Sequence, residues 1–425
     1  TQISGLSTTK LNTLTTVELN ALGTTNLTAL STTQVAAIST TLLAAMSSTQ
    51  LNNLSTTQVD ALTTTQVASL TTAQLIALGT TNLDELSTTQ LNALTSAQLR
   101  GLTTADLNEL TTTQVSGLST TQLNNLTSVE LNGLGTTNLD SLTTTQVAGL
   151  STLQIQALTT TTLNNLTTTQ VDALTTTQVA SLSTVQLNGL SSTQFDELST
   201  TQVNALSTVQ LRGLTTNDLN ELTTTQFASL STTLISNLTS VELNALTSTN
   251  IQSLTTTQVL AIGTTLVAAL SSTELNNLTT TQLSALSTTQ VTALSTTDMA
   301  NLATTQMDAL TTTQVQALTT LQIASLNSLD IAELSTTQAG VLSTAQIKSL
   351  NTTQIMQLTT TVISALSTTQ LRAVTTTDIA ALTTTQFSSL TTTQLNYLTS
   401  AQIGAISAAD LNSLGTNISA LGLLG

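Results

Sequence analysis

The chain has 425 residues, with five Lys and Arg against 21 Asp and Glu and a net charge of −16. That balance excludes a nucleic-acid binder, which needs basic groups against phosphate, and disfavours anionic membrane surfaces. No His, Cys, Pro or Trp is present, which excludes Ser-His and Cys-His catalysis, thiolate or imidazole metal sites and disulfides.

Hydrophobic residues make up 39%, almost all aliphatic, and charged residues 6%. Disordered chains are poor in aliphatics and rich in charge, so the composition predicts a thin, continuous aliphatic core. No apolar run approaches the ~18–20 residues that would cross a membrane as a helix. The chain begins at Thr1 rather than Met, which points to processing or to a segment of something longer.

Starting at Leu6, an aliphatic residue returns every eight positions: Leu6, Leu14, Leu22, Leu30, Ile38, Met46, Leu54 and onward to Leu414. A second aliphatic column runs Ile3, Leu11, Leu19, Leu27, Val35, Leu43, through to Leu411. The unit is represented by Ser55-Thr56-Thr57-Gln58-Val59-Asp60-Ala61-Leu62. The register is unbroken over 1–414, giving one uninterrupted octapeptide-repeat array. It slips in 415–425, a register-broken C-terminal end.

Aliphatic spacings of 3, 5, 3, 5 do not alternate as a half-buried strand would. They suit one helical face, but 3.6 residues per turn would carry the stripe away within a few octads. A helix must therefore break once per repeat. The break is visible as a capping box, Ser or Thr followed three residues later by Gln or Glu, as in Ser31/Gln34, Thr127/Glu130 and Thr239/Glu242. Leu30 before the cap and Val35 after it would form the hydrophobic staple. Gly23, Gly79, Asn327 and Asn351 fill the same cap column.

The expected fold class is all-α: a solenoid of very short capped helices, one per octad, with two octads per layer. One or three per layer, and a β-solenoid favoured by Thr and Val, stand as alternatives. Small residues before each closing Leu, such as Ala21, Ala29, Gly101 and Gly117, should let neighbouring octads approach closely.

A slower period overlies the octad. Arg100 to Leu110 recurs as Arg212 to Leu222, and more weakly as Ala324 to Leu334. These blocks carry the only carboxylate pairs at i, i+3: Asp106/Glu109, Asp218/Glu221 and Asp330/Glu333. Asp106, Glu109, Asp218 and Glu221 are the candidates for a weak cation site, against the plainer reading of solvated and capping carboxylates. Asp84/Glu85 and Asp196/Glu197 recur with the same long period. No catalytic or cofactor-binding residue, no cofactor and no small-molecule substrate is expected. Sequons such as Asn53-Leu54-Ser55 and Asn125-Leu126-Thr127 follow from repeat composition. A Thr-rich face also suits ice-binding solenoids, but here most Thr columns are needed for capping.

Octads of the form Leu-Thr-Thr-Thr-Gln-Val-Ala-Ser-Leu, as at Leu62 to Leu70, resemble the repetitive regions of large bacterial surface and secreted proteins, adhesin-like or fibre-forming. The resemblance covers 1–414 and lacks the Gly- and Asp-rich calcium nonapeptides of some secreted relatives. It implies a non-enzymatic protein at the cell surface or outside the cell. Such a protein would self-associate into a filament, sheath or surface layer, or serve as an adhesin stalk.

Overall fold

The computed structural model describes residues 3–415 and Ser419, so the register-broken end at 415–425 lies almost wholly outside the described residues. Among these, a 3-10 turn at Ile3–Gly5 precedes 51 α-helices of four to six residues, from α1 (Thr8–Leu11) to α51 (Ala408–Ser413). No strand occurs among the described residues. One helix per octad is what the capping pattern predicts, and the β-solenoid alternative is overturned.

Each octad folds for local reasons. In α7 (Thr56–Asp60) the cap Ser55 is extended at φ −70°, ψ 157°, and its hydroxyl accepts from the Gln58 amide. Gln58 Oε1 in turn accepts from the Ser55 amide at 2.9 Å. The same reciprocal box forms at Ser31/Gln34, Thr127/Glu130 and Thr239/Glu242. Most helices end without left-handed residues: among the described residues only Gly79, after α9 (Thr72–Ala77), and Gly415, after α51, have positive φ. The chain instead turns extended at the closing Leu, as at Leu70 with φ −64° and ψ 144°, and stays extended through the next cap. This is why Gly can be so sparse. Gly79 departs from its expected role: at φ 64° it opens α10 (Gly79–Leu83) instead of forming an extended cap.

Both aliphatic columns are buried, as Val59 at 0% and Leu62 at 3% exposure illustrate. All three Phe residues, Phe195, Phe227 and Phe387, sit in the column of Val59 and are fully buried.

Successive turns are joined by two side-chain ladders. Gln58 Nε2 donates to Leu27 O and Leu30 O, both at 2.8 Å. Asn12 Nδ2 donates to Ala37 O at 2.6 Å, and Asn12 Oδ1 accepts from the Ser39 amide at 2.7 Å. These bonds span 25 to 31 residues, so one turn of the coil takes about three and a half octads. Helix packing agrees: α5 (Thr40–Ala44) lies on α8 (Thr64–Ser69), and α29 (Thr232–Ser236) on α32 (Thr256–Ala261).

Two octads per layer is therefore incorrect. Neighbours would then lie sixteen residues apart, and none of these ladder bonds has that span. The physical reason is the corner. Two or three extended residues without a left-handed glycine turn the path by only about 100° per octad, short of a hairpin reversal. Close approach at the small column is as expected: a Cβ on Gly101 or Gly117 would lie 2.1 or 2.3 Å from the methyl of Thr72 or Thr88.

By its internal contacts the chain divides into two units, Thr1–Leu214 and Thr215–Gly425. Each is built by the same octad rules.

Candidate functional surface

The core positions are occupied by aliphatics and capping amides, so any function must reside on the exposed columns. Hydroxyls at the cap column accept from amides three residues on, as Thr167 does from Gln170 at 3.2 Å, and no imidazole exists in the sequence to activate another.

The cation-site candidates are divided by their columns. Asp106 lies in the column normally held by Gln, and its Oδ2 accepts from the Thr103 amide and hydroxyl at 2.7 and 2.8 Å. Asp218, buried, accepts likewise from Thr215 at 3.2 and 2.6 Å. Glu109 and Glu221 stand half-exposed at the other ends of the same helices, and Glu221 accepts from Asn217 Nδ2 at 3.0 Å. The two aspartates are thus cap acceptors. No group of three or more Asp, Glu, His or Cys suited to a metal occurs among the described residues.

One shallow recess of about 380 Å³ is lined by Asn108, Leu110, Gly135 and Asn138 with three Thr. It arises because Gly135 and Asn138 replace the larger cap Ser/Thr and Gln of other octads. No titratable group lines it.

Asp330 is the most unusual acid. It is completely buried in the Gln column, and its Oδ1 has no hydrogen-bond partner. By register it stands where a Gln would donate to the Met299 and Leu302 carbonyls of the preceding turn. Burial pushes its pKa up to about 6, opposed by a hydrogen bond from the Asn327 amide. A raised folded-state value means the carboxyl supports the fold while protonated. That contribution is complete below about 4 and is lost as pH rises through about 6. Asp330→Gln should therefore raise stability at pH 7.5 by on the order of 2–3 kcal/mol and give little gain at pH 4. Paired urea titrations at the two pH values would check this. An equal gain at both would show that ionisation is not the cause. Glu18, by contrast, is exposed, and hydrogen bonds from the Thr15 amide and hydroxyl hold its carboxyl below the ordinary range.

Apart from Glu18, the fully exposed acids of the first unit are not scattered around the coil. In the first unit Asp60, Asp84, Asp140, Asp172 and Asp196 share one column on exposed positions. Their helices are three, seven, four and three octads apart, close to whole numbers of turns. They form one acidic flank. Sequence reading missed this because azimuth on the coil requires the number of octads per turn.

It also missed the second use of Gln. Glu would serve a capping box equally well, so the preference for Gln in that column was the available signal that an N–H donor is needed. No helix among the described residues is long and apolar enough to cross a membrane.

The chain is similar to the family described as ALTTAQ repeat. That family's model matches residues 35–72, 68–104, 96–132, 152–184, 323–360 and 363–392, just under half of the chain. Its name reads as the stretch from the small column to the Gln, and Ser69-Leu70-Thr71-Thr72-Ala73-Gln74 departs from it only at the first place. No curated protein matches the chain.

Proposed function

We propose that this is a non-enzymatic structural protein of the cell exterior that self-associates into a filament, sheath or surface layer. The observation that carries the reading is the Gln ladder, which recurs with the same bonds from Gln58 to Gln402 and is interrupted where Asn, Thr, an acid or an aliphatic takes the column. A coil in which most turns are joined by the same bonds presents similar contacts at fixed intervals, which suits open assembly. The acidic, Cys-free and Lys-poor composition, together with the resemblance to bacterial surface repeats, supports an extracellular setting. The same regularity would serve a stalk that holds another domain away from the cell.

Negative-stain electron microscopy over a concentration series separates the two. Filaments or sheets with a regular repeat are expected. Isolated particles at every concentration would replace the assembly reading with that of a spacer.

A further inference from the structure

The second residue of each helix is Thr in most octads and points to solvent. In the first unit the exceptions follow a rule. Ala73, Ala97, Val129, Leu153, Val185 and Val209 all occupy this column. They lie 24, 32, 24, 32 and 24 residues apart, alternating three and four octads. With three and a half octads per turn, that alternation places one apolar side chain on each successive turn, along one side of the coil. Val17 continues the line two turns before Ala73, and Ala105 is the sole apolar residue of the column off it. The larger members are wide open: Val129, Leu153, Val185 and Val209 are 71–75% exposed. Thr serves the same helical position elsewhere, so folding does not require them.

Charge is arranged around this seam. Arg100 and Arg212 are exposed three residues after Ala97 and Val209, on the same helices. The acidic flank is displaced by eleven residues or more, as Asp140 is from Val129 and Asp196 from Val185, between a third and a half of a turn away. Between Ala73 and Val209 the seam helices carry one carboxylate, Glu130, and it is buried, so this is the side on which a chain of charge −16 can meet another without bringing exposed carboxylates together.

We infer that this seam, from Ala73 to Val209, is the lateral contact for a second copy of the same chain, packed seam to seam. The inference rests on the self-association proposed above and gives it a surface. A second copy fits because its rungs share the same spacing by construction, as the a and d positions of coiled-coil helices do. Six rungs at helix-packing distances of ~8–10 Å and roughly 15 Å of width give on the order of 1,300 Å² for the pair. That lies at the lower end of stable interfaces.

The test is sedimentation velocity of the full chain over a wide concentration series. The wild type is compared with a variant carrying Val129→Thr, Leu153→Thr, Val185→Thr and Val209→Thr. The changes are exposed and install the column's usual residue, so circular dichroism and melting should be unchanged. Association should weaken roughly tenfold or more. A second variant lacking the octad 167–174 keeps all six seam residues but rotates Val185 and Val209 by about 100°, and should weaken association likewise. Wild-type association retained in both variants would overturn the seam while leaving self-assembly intact. A wild type that stays monomeric throughout would overturn both.

Discussion

Replacing Gln170 by Ala should cost on the order of 3 kcal/mol and loosen the turn beneath it. Gln170 is buried; its Oε1 accepts from the Thr167 amide at 2.9 Å, and its Nε2 donates to Leu139 O and Leu142 O, each at 2.7 Å. Ala removes half of a capping box and leaves the buried Leu142 carbonyl unpaired, at about 1–3 kcal/mol before any relaxation or water entry, while Leu139 O keeps only the Leu142 amide at 3.1 Å. Because solenoid stability is a sum of local and neighbour terms, the loss should be local. Amide exchange should accelerate around 139–142 and 167–172 and stay unchanged several turns away.

Gln170→Glu makes the argument sharper. The carboxylate can still accept from Thr167, but faces two carbonyls with no proton to give. The variant should be destabilised at neutral pH and recover as the pH falls, because a protonated Glu regains a donor. Exchange rates insensitive to pH in Gln170→Glu, beyond those of the parent, would show that donation across the turn contributes little.

Deleting one residue should be far worse than deleting eight. Ser181 closes α22 (Thr176–Ser181), and its hydroxyl donates to Gln178 O at 2.7 Å. Its removal leaves every ladder bond across that level one residue out of register. About seven Gln bonds belong to one turn, and at a net 0.5–1.5 kcal/mol each the loss is on the order of 5 kcal/mol. Removing the octad 175–182 instead lets Gln186 inherit the carbonyls of Val147 and Leu150, which Gln178 now holds. The chemistry is the same, so the melting temperature should change little. Thermal melts of the two deletions side by side decide the matter. Equal tolerance would mean that the register is not what holds the turns.

Much of this architecture is written locally. Helix starts are set by a hydroxyl at the cap and an acceptor three residues on, a relation contained within four residues such as Ser55 to Gln58. The two aliphatic columns fix which face is buried, and they need no knowledge of the neighbours. One helix per octad, its capped N-terminus and the Leu, Val and Phe core were therefore determined by sequence alone.

The number of octads per turn was not, because it depends on the angle of an extended corner and on partners 25 to 31 residues away. The same gap concealed the second function of Gln58, whose amide donates to carbonyls that no sequence window of helical length contains. It left Arg100 as an isolated cation, although its Nε donates to Asn125 O at 2.8 Å in the place of a ladder Asn. Faces on the coil followed last. Val129 and Leu153 lie three octads apart in sequence, and only the tertiary turn places them on one side of the coil.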